Sequence, residues 1–335
     1  MHRHQYIDRK TSAIMDEHLF HDELIQTVYS EVRERAPFLF DLITSARMSS
    51  LIAFTMYDFP VGPRLFGADN FVRRMGVTQS EILSPETLDT PRKFFERKIK
   101  YWECRPLPKE ERAVAAPADS RMLAGTVDEL ASVRIKEKFF SYSELLGEHK
   151  VKWAAAFSEG EFAVFRLTPE KYHWSHFPVA GVTRDFYEVD GAYHSCNPSA
   201  CIAMATPYSK NRRAVTVIDT DVPNGTQVGL VAMVEVAALM IGGIDQRYSA
   251  QRYDSPTTVR AGMFVKRGAP KSVFRPGSSV DILLFQKDRV QLSSDIAANL
   301  RRTDVESRYT TGFSTPIVET EVLVRSEIAR RAFKD

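Results

Sequence analysis

The chain predicts an α+β fold, with a helical N-terminal region over residues 1–90 and a mainly antiparallel β core over residues 91–335. Apolar residues in DELIQTVYSEVRERAPFLFDLITSARMSSLIAF (22–54) recur at helical spacing. From about Ala113 the texture changes to short apolar runs such as FAVFRL (162–167), AVTVID (214–219) and VDILLF (280–285), separated by Gly, Pro, Asn or Asp. Helical texture followed by a run of strands is the order of an α+β chain rather than of alternating α/β units.

Within the first region Pro37 breaks the helical pattern and Ser49-Ser50 are candidate caps. A second amphipathic piece, GADNFVRRMGVTQSEILS (67–84), follows the turn at Pro60–Pro63. The stretch MSSLIAFTMYDFPVGPRLF (48–66) sets apolar and aromatic side chains near Arg64, Arg73 and Arg74, which suits either an interfacial anchor or helices packed on the core. His2, His4, His18 and His21 fall in a segment expected to be mobile and receive no role. Further on, VGLVAMVEVAALMIGGI (228–244) is apolar for almost a membrane span. Glu235 at its middle, Gly242-Gly243 at its end and its β-branched content predict buried strands instead.

Composition narrows the function classes. A net charge of +2, from 45 basic and 43 acidic side chains, provides no field for holding nucleic acid. Cys104, Cys196 and Cys201 are odd in number and lack a CxxC spacing, so neither a disulfide framework nor a zinc site is expected. The N-terminus has no apolar signal-peptide core, and a cytoplasmic location is expected. Basic residues crowd RKFFERKIKYWECRPLPKEER (92–112), interleaved with Phe94, Phe95, Tyr101 and Trp102. That segment reads as a solvated face or as a patch for an anionic headgroup at a membrane surface.

The chemistry turns on SVFRPGSSVDILLF (272–285). Pro276-Gly277 is a strong turn dipeptide, and Val280, Ile282 and Leu284 alternate as in a strand, so a plain surface hairpin is one reading. The other is a peptide bond placed to be broken. A serine hydroxyl can attack the preceding carbonyl once a base takes its proton, and a glycine before it, having no β carbon, leaves room for the approach. His173 and His176 lie three residues apart, but without HExxH or a third ligand at matching spacing no metal site is expected.

Five segments in order, FFERKIKYWECRP (94–106), APADSRMLAG (116–125), IKEKFFSYSELLG (135–147), FRLTPEKYHWSHFPVAG (165–181) and VFRPGSSVDILLF (273–285), together resemble the phosphatidylserine decarboxylase family. YHSCNP (193–198), NRRAVTVIDT (211–220) and AALMIGGI (237–244) agree with that pattern. The resemblance implies a pyruvoyl-dependent enzyme that cuts its own chain between Gly277 and Ser278, with Ser278 becoming the covalent pyruvoyl cofactor. It implies that His176 and Asp119 complete a processing triad with Ser278, and that His173 serves the substrate or a proton transfer. The substrate implied is phosphatidylserine at an anionic membrane surface, on a peripheral protein that could form a homo-oligomer.

The chain departs from the family pattern at several points. Leu-Gly-Ser-Thr is replaced by Pro276-Gly277-Ser278-Ser279, and a cut shifted to Ser278-Ser279 is the lesser alternative. Pro117-Ala118-Asp119-Ser120 stands for Pro-x-Asp-Gly, and Lys171-Tyr172-His173-Trp174 for Asp-Tyr-His-Arg. Two other functions therefore stand beside the first: a soluble decarboxylase of a free amino acid on the same scaffold, and an uncleaved β-rich binding module.

Overall fold

A computed structural model of the chain describes residues 3–19, 22–45, 48, 77–88, 90–125, 139–239, 243–277 and 279–332. Its centre is a ten-stranded sheet. In spatial order the strands are Phe264–Val265 (β11), Gly181–Val189 (β7), Arg213–Asp219 (β8), Leu230–Ala237 (β9), Ser279–Phe285 (β13), Phe162–Leu167 (β5), Ser120–Gly125 (β4), Glu319–Val322 (β15), Gln5–Asp8 (β1) and Ile14–Asp16 (β2). Every pairing in it is antiparallel except β1 with β15.

Two three-stranded sheets pack beside it. One orders Ile244–Gln246 (β10), Pro270–Phe274 (β12) and Trp174–His176 (β6); the other orders Val290–Leu292 (β14), Glu327–Arg331 (β16) and Ala113–Ala115 (β3).

The central strands read as mainly apolar runs, interrupted by Arg166, Glu235 and Asp281, because both of their faces are covered. Val280, Ile282 and Leu284 of β13 enter one core with Val234 and Val236 of β9 and Phe162 and Val164 of β5. The alternate residues Leu283, Phe285, Met233 and Phe165 enter a second core on the other face. That period-two division sets the register of β13, since a one-residue slip would exchange the two sets. Burial of each such side chain contributes roughly 1.5–3 kcal/mol.

The stretch read as buried strands, 228–244, supplies β9 and the start of β10, while residues 240–242 lie outside the described residues. Among the described residues no helix is long and apolar enough to cross a membrane. The anchor candidate 48–66 falls, apart from Met48, outside the described residues.

The N-terminal region differs from its helical expectation at its start. Helical turns do run from Asp22 to Arg35 and from Pro37 to Ile43, where Tyr29 and Phe40 pack on Ala200 and Met204. Residues 5–16, however, form β1 and β2 at the edge of the large sheet. His4, expected in a mobile segment, is buried, with Nε2 2.9 Å from Glu319. Arg166 binds both Glu319 and Glu17. His4, Glu17 and Glu319 lie close enough to ligate a metal. Arg166 already supplies the cation these carboxylates need, so the group reads as a buried ion-pair network that ties the N-terminus down.

Candidate functional site

The turn between β12 and β13 brings the predicted processing segment into the molecule's interior. Gly277 has φ +144°, a conformation that favours glycine. Ser278 itself lies outside the described residues. Ser279 opens β13, paired with Ala237 on one side and Leu167 on the other, and is fully buried.

The two histidines arrive on β6 and the residues just before it. Because β6 runs antiparallel to β12, His173 is drawn opposite Phe274, whose N–H donates to the His173 carbonyl at 3.0 Å. The His173 ring stacks on Phe95, with centroids 3.5 Å apart and planes 13° apart. Its Nδ1 lies 3.3 Å from Ser279 Oγ, while Nε2 is buried with no hydrogen-bond partner. Burial and then the nearby Arg97 charge push its pKa well below the ordinary histidine value, so the ring is neutral. Phe95, Ala118, Leu167, Tyr193, Ala237 and Phe274 form an apolar cluster around this point.

His176, three residues further on, ends β6 and is fully buried. Its Nδ1 is 2.9 Å from the Gly268 carbonyl, which can only accept, so Nδ1 carries the proton of the neutral ring. Nε2 therefore accepts from the Tyr172 hydroxyl at 3.0 Å, and Tyr172 in turn meets the Tyr253 hydroxyl at 2.7 Å. Burial lowers the His176 pKa from 6.5 to about 3. The unfolded chain thus takes up a proton that the folded chain refuses. Stability is complete above about pH 6.5 and falls by about 1.4 kcal/mol per unit as pH drops toward 3. A thermal unfolding midpoint that falls on acidification through this window, with a shallower fall in His176→Gln, is the expected result; a parallel fall in the variant would contradict it.

Asp119 is not hydrogen-bonded to His176. Its carboxylate takes a bidentate pair from Arg105, at 3.1 and 2.9 Å, and the Val324 N–H at 2.7 Å. Burial acts to raise the Asp119 pKa, but the Arg105 charge and hydrogen bonds outweigh it and hold the carboxyl below its ordinary range. The expected chain of Asp119 orienting His176 is thus replaced by two braced groups. They are tied through the backbone, where the His176 N–H donates to Pro117 O at 2.8 Å.

The basic segment is only partly a surface feature. Arg97 and Arg105 are buried: Arg97 donates to the Phe94 and Glu170 carbonyls, and Arg105 holds Asp119 and Glu81. Lys93 and Lys98 remain exposed, with Lys98 Nζ 5.1 Å from the Tyr253 ring centroid.

A second group went unread in the sequence. Glu235 and Asp281 sit opposite one another on β9 and β13, both fully buried. Glu235 binds Lys271 and the Ser272 hydroxyl, and Lys271 Nζ reaches Gln246 Oε1 at 3.0 Å. Ser175 Oγ donates to Asp281 Oδ2 at 2.7 Å, while Asp281 Oδ1 has no hydrogen-bond partner. Burial and then the Glu235 charge raise the Asp281 pKa well above the usual carboxylate value, leaving it a neutral acid.

A family model described as phosphatidylserine decarboxylase matches residues 92–303, more than half of the chain. A phosphatidylserine decarboxylase proenzyme of Bordetella petrii is 34% identical over 235 residues, covering 66% of this chain and 78% of that protein. One from Chlamydia trachomatis serovar D is 33% identical over 204 residues, covering 61% of this chain and 62% of that protein. One from Chlamydia pneumoniae is 27% identical over 340 residues and covers 98% of this chain and 99% of that protein.

Proposed function

The chain belongs to the phosphatidylserine decarboxylase family and is a carboxy-lyase, and from that premise we propose that it cuts itself in the Gly277-Ser278-Ser279 turn and converts phosphatidylserine to phosphatidylethanolamine with release of carbon dioxide. The cofactor proposed is a covalent pyruvoyl group made from a serine of that turn. The residues present fit such a group. A glycine at φ +144°, a buried serine hydroxyl, a neutral histidine with one unbonded nitrogen and an apolar surround meet at the start of β13. When bound to a substrate amine, a ketone there would supply the sink for the electrons that carbon dioxide leaves behind.

The single observation that carries the reading is the contact of His173 Nδ1 with Ser279 Oγ inside the Phe95-lined cluster. His173 is placed to give or take a proton beside the turn, and its neutral state suits either task. The apolar wall disfavours a charged carboxylate and keeps water from the reacting centre. His176 and Asp119, which the family resemblance assigns to processing with Ser278, brace the same region through Gly268, Tyr172 and Arg105. In this proposal residues 91–335 form the catalytic unit and the exposed cations Lys93 and Lys98 face an anionic bilayer, each contributing on the order of 1 kcal/mol.

The test is to supply cleaved protein with phosphatidylserine vesicles and, separately, with free serine and tryptophan, following carbon dioxide release. Turnover of vesicle lipid that weakens as salt rises is expected. Release from a free amino acid alone would move the assignment to a soluble amino-acid decarboxylase. Full-length, uncut protein with no release from any of these would leave a binding module.

A further inference from the structure

Resting on the decarboxylase reading above, we propose that Asp281 is a positioning residue of the cut enzyme: through its hydrogen bond with Ser175 the large chain holds the freed end of β13 against His173. β12 belongs to a three-stranded sheet and β13 to the large one, and the turn before β13 is the covalent link between them. A cut in that turn removes the link. It also leaves Asp281 on the small chain and Ser175, Ser272, Glu235 and Lys271 on the large one.

The polar contacts between the two sheets form a square. Ser175 and Ser272 stand opposite each other where β6 pairs with β12, and Asp281 and Glu235 stand opposite each other where β13 pairs with β9. Across the gap Ser175 Oγ donates to Asp281 Oδ2 at 2.7 Å, and the Ser272 hydroxyl donates to Glu235. All four residues are fully buried, and Glu235 is tied a second time by Lys271. After the cut, the Ser272 and Lys271 contacts join the large chain to itself. The Ser175–Asp281 bond is the member of the set that crosses to the small chain. Among the described residues Ser175 is the only hydrogen-bond partner of the Asp281 carboxyl, whose Oδ1 is buried and unbonded.

This bond lies one step along from the contact on which the proposed function rests. Two residues before Asp281, on the same face of β13, is Ser279; two residues before Ser175 is His173, whose Nδ1 is 3.3 Å from Ser279 Oγ. A shift of β6 against β13 would therefore open both contacts together. Displacing a reacting group by about 1 Å can cost about 10²-fold in rate. Asp281 suits the part of a bolt. Burial and then the Glu235 charge keep it a neutral acid, so an amide of the same shape can make the same bond. While the chain is whole, the turn itself joins β12 to β13 and the bolt is dispensable; once the turn is open it is not.

The test uses the full chain with Asp281→Leu, Ser175→Ala, the two combined, and Asp281→Asn. Intact mass follows the cut, and carbon dioxide release from phosphatidylserine vesicles is measured per mole of cut chain. Asp281→Leu and Ser175→Ala are each expected to be cut within a few-fold of the wild-type rate, then to lose about 10²-fold in kcat with KM unchanged. The double variant should lose no more than either single one, because both remove the same bond. Asp281→Asn is expected to keep kcat within a few-fold of wild type. If Asp281→Leu does not fold, Ser175→Ala, which only shortens a side chain, carries the test. A wild-type kcat in Ser175→Ala, an Asp281→Asn as slow as Asp281→Leu, or a cut slowed as much as turnover would overturn the inference and leave the decarboxylase reading intact. A wild-type chain that is never cut, or that releases no carbon dioxide from the vesicles, would instead remove the reading on which the inference rests.

Discussion

His173→Ala is expected to lower carbon dioxide release per mole of cut chain by about 10²–10⁴-fold, the range that a positioned acid or base contributes. The ring is stacked on Phe95, fully buried, and in contact with the residue that opens β13. Among the described residues, no other histidine touches that strand residue, since both nitrogens of His176 are taken by Gly268 and Tyr172. The processed fraction is measured first. Activity is then expressed against that fraction. Turnover within a few-fold of wild type in the cut material would remove His173 from the reaction.

Lys271→Met is expected to destabilise the fold by about 3–5 kcal/mol, the cost of leaving a buried charge without its partner. Lys271 and Glu235 are both fully buried, and Asp281 stands opposite Glu235 as a neutral acid. Without the ammonium, Glu235 would face a second carboxyl across two paired strands with only Ser272 and Gln246 to stabilise its charge. Denaturant unfolding of an uncut background carrying both Ser278→Ala and Ser279→Ala, with and without Lys271→Met, measures the difference in one chain. Adding Glu235→Leu should recover much of the loss, because removing both charges is far cheaper than removing one. A Lys271→Met midpoint equal to that of the background would show that the pair contributes nothing.

The β core was legible because its strands announce themselves locally. VDILLF, FAVFRL and AVTVID are short apolar runs between turn residues, and each is a strand of the large sheet. β1 was not legible: QYID is four residues of mixed polarity, and what makes it a strand is a parallel pairing with Glu319–Glu321, remote in sequence. The same pairing buries His4, so its role was hidden for the same reason. In the site, the histidine segment and the Pro-Gly-Ser-Ser turn could be found by motif. The partners of Asp119 and His176 could not, because a run of cations carries no local mark saying that Arg97 and Arg105 turn inward while Lys93 and Lys98 stay out. Lys271 and Asp281 lie on different strands and become neighbours of Glu235 only once β12 and β13 fold back together. A linear reading used Glu235 only as evidence against a membrane span.

The position of β13 has a consequence for the life of the protein after the cut. The new chain end lies at the start of a strand hydrogen-bonded on both sides, and the downstream piece also supplies β14, β15 and β16 to two different sheets. Cutting therefore cannot release the small piece, which stays threaded through the larger one. Reassembly after full unfolding becomes a meeting of two polypeptides, neither of which holds a complete central sheet. The uncut precursor can fold as one chain, whereas the mature form inherits a shape it has lost the means to rebuild, so its persistence is governed by its unfolding rate rather than by a reversible equilibrium.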